Sequence, residues 1–207
     1  MRPSLSKAKE LFLFATKHTN ILNVKMGLPK GISSKHYQNV AYVASKIAEQ
    51  AGMDVEKAYV LGLLHDYGEY IEDTVPETFH GTAGYDEMLK LGFDEVANVC
   101  LSHSFFNSSF SPEDFPAYAA KEIERAADIL NKKSFDDYDK LIHLADLMSP
   151  GREINTIENR VQKLSEKYSV PFEKTQKMLT QGLELKSIFD NKCNKDIYSL
   201  FELSRVS

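Results

Sequence analysis

Apolar residues recur at intervals of three and four along most of the chain, and nowhere do apolar and polar residues alternate for long enough to make a strand. The pattern predicts an all-α fold. Val40, Ala44, Ile47, Ala48 and Ala51 form one stripe over Lys35 to Ala51, with Gly52 placed to close the helix. Asp54 is then placed to cap a second helix, in which Ala58, Leu61, Leu64 and their neighbours are almost continuously apolar, as in a helix buried on most sides. That helix ends abruptly in His65-Asp66. The stretch YGEYIEDTVPETF reads as a loop, His80 to Leu91 as a helix stopped by Gly92, and DEVANVCLSH as a short helix capped by Asp94 that delivers His103 at its end.

The following segment, SFFNSSFSPEDFPAY, carries Pro112 and Pro116 and reads as an irregular connector or a lid over about residues 104–118. Helical spacing resumes at Lys121 to Leu130. It returns in DYDKLIHLADLM, where Asp146 stands among Leu141, Leu144, Ala145 and Met148 and so needs a partner. Pro150-Gly151 ends that helix, and two amphipathic helices, Arg152 to Tyr168 and Pro171 to Phe189, complete the pattern. Near the N-terminus there is one short apolar run, Leu11 to Ala15, too brief for a signal-peptide core or a membrane span.

With 207 residues, 43 % of them hydrophobic and 27 % charged, the chain is expected to fold as a single domain, 1–207. The formal charge of -5 argues against a surface built for a long nucleic acid, but leaves room for a small phosphorylated ligand held by a local positive site. Two widely separated cysteines, Cys100 and Cys193, point to a reducing, cytoplasmic setting and away from a zinc knuckle. Neither GxGxxG nor GxxxxGK[ST] occurs, and Ser102 and Ser104 beside His103 lack the elbow of a serine hydrolase.

The chemistry concentrates in LGLLHDYGE. Where a helix ends, two consecutive side chains can both reach one cavity, and a His next to an Asp then offers a nitrogen and a hard oxygen to the same metal. By itself the pair reads better as a packed His65 and a capping Asp66. His36, His80, His103 and Asp146 change the balance, because each lies at an end or on an apolar face of a predicted helix, from which side chains can converge.

These residues resemble the signature of the HD superfamily of metal-dependent phosphohydrolases, a His, then His-Asp, then a distant Asp: His36 in SSKHYQNVAYVASKIA, His65 and Asp66 in LLHDYGE, and Asp146 in LIHLADLMSPGRE. The resemblance spans an HD core of about 35–152, which leaves 153–207 as a C-terminal helical extension. His80 in FHGTAGY and His103 in LSHS match the two further histidines of the two-metal subset. The order of motifs looks most like the bacterial symmetrical diadenosine tetraphosphate hydrolases, which use a di-iron site. The resemblance implies one or two divalent or transition metal ions, iron foremost, with Mn, Mg, Co, Ni or Zn as alternatives. It also implies Asp66 as a bridge between ions and Arg152, of Pro150-Gly151-Arg152, as a fork for phosphate.

Where those enzymes carry a Lys three residues after the Asp of the pair, this chain has Glu69, a carboxylate that repels an anion and suits general-base or supporting work. Lys30 and Lys35 are candidates to replace that charge, though a surface role suits both. His143 reads as a packed or supporting group beside Asp146, His18 as a surface or packing residue, and Glu72-Asp73 as solvated.

The expected activity is hydrolysis of a phosphate ester or anhydride in a small nucleotide-like substrate, a dinucleoside polyphosphate included. A metal-containing nucleotide-binding module without turnover and an HD-type di-iron oxygenase are the alternatives. No membrane partner is expected, and a homodimer is compatible with the sequence.

Overall fold

A computed structural model of the chain describes residues 1–25, 32–72, 78–105, 120–168 and 171–203. Among these residues the fold is all-α, with no strand. The helices are α1 Leu5–Lys25, α2 Ile32–Gln50, α3 Val55–Leu64, α4 Glu69–Glu72, α5 His80–Lys90, α6 Asp94–Ser102, α7 Ala120–Leu130, α8 Asp137–Leu147, α9 Ile157–Tyr168 and α10 Phe172–Cys193. A 3₁₀ turn, Ile197–Phe201, closes the described chain.

The antiparallel neighbours α2 and α3 form the centre. They approach so closely that a Cβ on Gly62 would stand 2.8 Å from the Ala41 Cα, which only glycine permits. α8 packs across both, α1 lies against α3, and α5 pairs with α6. Asp54 caps α3 by accepting from the Lys57 N–H at 2.9 Å. One buried apolar cluster runs from Ala8 in α1 through Ile47, Leu61, Leu64 and Leu144 to Phe189 and Tyr198. A second cluster of Phe79, Leu101, Phe105, Ile123, Ala126 and Leu130 seats α7 on α5 and α6.

Several predicted elements shift. The run Leu11 to Ala15 belongs to a 21-residue helix, α1, whose buried stripe is Ala8, Leu11, Phe12 and Ala15. Lys9, Glu10 and Lys17 dilute that stripe, so it reads as a fragment when hydrophobicity alone is followed. The stretch after Asp66 holds one helical turn, α4, before residues 73–77, which lie outside the described residues. α6 includes Asp94 as its first residue rather than its cap. α9 starts at Ile157 and not at Arg152, because the Thr156 hydroxyl accepts from the Asn159 N–H at 3.1 Å and sets the start there. The proposed lid falls almost entirely on residues 106–119, outside the described residues.

Candidate metal centre

The site is assembled mainly from helix ends. His65 is the C-cap of α3, His103 the C-cap of α6, and Asp146 the penultimate residue of α8. Helix C-termini carry partial negative charge, so three of them directed at one point favour a cation there. His36 comes from an early turn of α2, and His80 is the first residue of α5. Gly68 lets α5 come this near: a Cβ at that position would lie 2.1 Å from the His80 carbonyl oxygen and 2.5 Å from the Gly84 nitrogen.

Asp66 stands at the middle. Its Oδ2 is 3.2 Å from Nε2 of His36 and 3.2 Å from Nε2 of His65. Its Oδ1 faces the other way, 3.0 Å from Nε2 of His103 and 3.6 Å from Nε2 of His80. Asp146 Oδ1 joins the first group, 3.2 Å from His36 Nε2 and 3.9 Å from His65 Nε2. Two groups, His36 with His65 and Asp66, and Asp66 with His80 and His103, therefore share one carboxylate, and in each of these triads the ligand atoms lie within 4.8 Å of one another.

The donor chemistry fits metal ions. His36, His65 and His103 each direct Nδ1 at a backbone carbonyl, of Ser149 at 2.7 Å, Gly62 at 2.8 Å and Val99 at 3.2 Å. A carbonyl only accepts, so Nδ1 carries a proton, and in the neutral tautomer that bond selects the Nε2 lone pair is the one aimed into the site. These lone pairs meet: the Nε2 atoms of His36 and His65 are 3.2 Å apart, and those of His80 and His103 are 3.4 Å apart. Converging lone pairs beside acceptor-only carboxylates repel unless a cation lies among them. Two ligands at right angles about 2.1 Å from one ion are about 3 Å apart, close to the separations seen.

The electrostatics agree. Burial opposes charge on His36, but hydrogen bonds to Asp146 and Asp66 outweigh it and hold its pKa well above the ordinary value. Burial likewise opposes ionisation of Asp66, yet the charges of His65 and His103 keep its carboxyl well below the usual range. Asp146 is held low against burial by the His36 hydrogen bond and by Arg160.

The centre opens into a cavity of about 390 Å³ lined by His36, Asp66, Glu69, His80, His103, Ser104, Asp146, Pro150, Gly151 and Arg160. Glu69 is raised in pKa by burial and by the nearby Asp66 charge, and accepts from the Tyr37 hydroxyl at 2.6 Å. Ser104 Oγ lies 3.0 Å from His103 Nε2.

All six residues proposed from the sequence as ligands are thus brought together, and Glu69 lies beside them. Arg152 is not: it is exposed on the turn after α8 and outside the cavity lining. Arg160 of α9 does line the cavity, and its Nη1 donates to the Asp146 carbonyl at 2.5 Å. Lys35 is exposed, while Lys30 and Asp73 lie outside the described residues. His143 is half-buried on α8, and desolvation of its ring pushes its pKa down to about 4. His18 packs on the rings of Phe14 and Tyr70. Ser102 donates to the buried Asp139 at 2.6 Å, a structural bond.

Sequence reasoning missed Tyr37 and Arg160. Tyr37 had a signal in its position next to His36 on a buried helix. Arg160 had none, because a single Arg on an amphipathic helix is ordinary.

An all-helical protein with paired histidine–carboxylate groups sharing an aspartate is a metal-binding protein by its donor set. The chain belongs to the HD domain family, whose model matches residues 34–151, and so to a superfamily of metal-dependent phosphohydrolases.

Among curated proteins it is similar to Ribonuclease Y of Fervidobacterium nodosum, 31 % identical over 106 residues, covering 51 % of this chain and 20 % of that protein. Ribonuclease Y of Thermosipho melanesiensis is 26 % identical over 164 residues, 78 % of this chain and 30 % of the relative. Ribonuclease Y 2 of Bdellovibrio bacteriovorus is 26 % identical over 138 residues, 60 % and 26 % of the two chains. The matches therefore span less than a third of these relatives. No solved structure matches the chain. Cys100 and Cys193 are both buried free thiols, and no helix among the described residues is long and apolar enough to cross a membrane.

Proposed function

We propose that the chain hydrolyses a phosphodiester bond in a short ribonucleotide substrate, taken into the cavity one phosphate at a time. The observation that carries this reading is Asp66, which presents one oxygen to His36 and His65 and the other to His80 and His103. His36, His65, Asp66 and Asp146 would hold one ion, and Asp66, His80 and His103 a second. When bound, such ions draw charge from a phosphoryl oxygen and acidify water near neutral pH.

The remaining lining residues do the rest. Glu69 is the lining carboxylate whose hydrogen bond goes to Tyr37 rather than to a histidine, and it is placed to accept a proton from the attacking water. Tyr37 holds it in position. Similarity to proteins named Ribonuclease Y supports a ribonucleotide over the dinucleoside polyphosphate suggested by motif order. Glu69 supports the same choice, since a third lining carboxylate beside Asp66 and Asp146 disfavours a chain of phosphates. The cavity of about 390 Å³ is the size of a small-ligand site, and the charge of -5 favours a short substrate over a long RNA.

The test is a panel on manganese- or iron-loaded protein: a short oligoribonucleotide, a mononucleotide and diadenosine tetraphosphate, with oxygen consumption followed in parallel. Shortening of the oligoribonucleotide is the expected result. Cleavage of the dinucleoside polyphosphate alone would overturn the substrate class, oxygen uptake would establish an oxygenase, and binding without turnover a module.

A further inference from the structure

Arg160 lies beyond residues 34–151, the part of the chain matched by the family, yet it lines the same cavity as His36, Asp66 and Asp146. Among the described lining residues it is the one Lys or Arg. A guanidinium has five N–H donors in a planar fork. The Asp146 carbonyl takes a bond from Nη1 at 2.5 Å, which fixes the fork at the metal centre and leaves further donors for a ligand in the cavity.

The extension holds Arg160 there. One helical turn earlier, the Ile157 N–H donates to the hydroxyl oxygen of Tyr198 at 3.0 Å, and that hydroxyl donates to Glu158 at 2.7 Å. Tyr198 is buried, and Lys186 stacks over its ring at 4.4 Å. Lys186, also buried, pairs with Asp190 at 2.6 Å and Asp196 at 2.7 Å, tying α10 to the closing turn. The first turn of α9 is thus pinned by the C-terminal segment, and Arg160 with it.

We propose that Arg160 is the phosphate-binding residue of this site, so that the C-terminal extension completes the substrate pocket of the HD core. The ligand class is a phosphoryl group, engaged by the fork while its remaining oxygens face the ions. This rests on the phosphohydrolase reading for its substrate, but not for its test. A lining with three carboxylates accepts an anion only when both the metal charge and a fixed cation oppose them. Arg152 is the rival, since it follows Pro150-Gly151 directly.

Calorimetric titration of the manganese-loaded full chain with inorganic phosphate and with adenosine monophosphate tests the assignment, with metal content measured on each sample. Arg160→Gln is expected to weaken binding tenfold or more at unchanged metal content. Arg160→Lys recovers part of it, because a point charge replaces the fork. Arg152→Gln is expected to bind as the wild type does. Wild-type affinity in Arg160→Gln, no phosphate binding by the wild type, or the loss appearing in Arg152→Gln instead would each overturn it.

Should Arg160→Gln lose metal, Tyr198→Phe frees the start of α9 without touching Asp146. Weaker phosphate binding at full metal content then supports the proposal, and unchanged binding overturns it. Arg160-dependent phosphate binding without turnover of any nucleotide would leave this inference standing and remove the phosphodiesterase reading. Turnover with unaltered KM and phosphate affinity in Arg160→Gln would do the reverse.

Discussion

Asp66 Oδ1 stands 3.0 Å from Nε2 of His103, while the other oxygen of the same carboxylate is engaged 3.2 Å from His65. A single side chain therefore serves both groups of histidines. Asp66→Ala should abolish binding of either ion and lower turnover more than about 100-fold, beyond the upper end of what loss of an outer partner costs. Chelation should lower the melting temperature of the wild type, because ions bind the folded state alone. The Asp66→Ala protein should melt at the same temperature with and without chelator.

Tyr37 is buried and its hydroxyl sits 2.6 Å from Glu69 and 2.9 Å from the Asp66 carbonyl. Tyr37→Phe removes that donor and little volume. It should cost about 1–2 kcal/mol in urea unfolding, the scale of one buried hydrogen bond left unmade. Metal content should stay at the wild-type level while kcat falls about tenfold with KM nearly constant, as expected for loss of an outer partner. An unchanged kcat would remove Glu69 from the chemistry.

His143 gives a pH dependence whose sign can be worked out. Burial lowers its pKa from 6.5 to about 4, so the unfolded chain takes up a proton in a range where the folded chain does not. Its contribution to stability is complete above about pH 6.5 and is lost as the pH falls towards about 4. With chelator present throughout, the wild type should lose about 2 kcal/mol more than His143→Gln between about pH 7 and about pH 5. Parallel pH profiles for the two proteins would show that His143 does not titrate in this way.

Lys186 is the buried cation of the C-terminal segment, with a side chain 3 % exposed, whereas Asp190 and Asp196 reach water at 27 % and 45 %. Removing one member of a fully buried pair costs about 3–5 kcal/mol; here the carboxylates can rehydrate, so Lys186→Ala should cost about 2 kcal/mol. Urea midpoints at constant m-value measure it.

The convergence of these six side chains was legible because its signal is local. A hydrophobic helix that stops at His65-Asp66, and histidines at predicted helix ends, survive translation into three dimensions, since a helix end is where a side chain can leave its own face. Asp54 and Gly52 were legible for the same reason, and Gly52 takes the positive φ of 70° that closing a helix requires.

What was not legible depends on tertiary packing. Arg152 follows the Pro-Gly break and looked placed for phosphate, but the chain runs on for several residues before α9 begins, and the turn of α9 nearest the site presents Arg160 instead. α1 was read as a fragment because its stripe is narrow, and its burial depends on α3 and α2. The position of α5 follows from Gly68, whose lack of a Cβ has no signature in hydrophobic periodicity.

Counting ions per chain by mass spectrometry, in protein saturated with manganese and freed of excess, tests the shared-carboxylate centre most directly. Two ions are expected in the wild type, one in His103→Ala, and none in Asp66→Ala. A single ion in the wild type that persists undiminished in His103→Ala would contradict it.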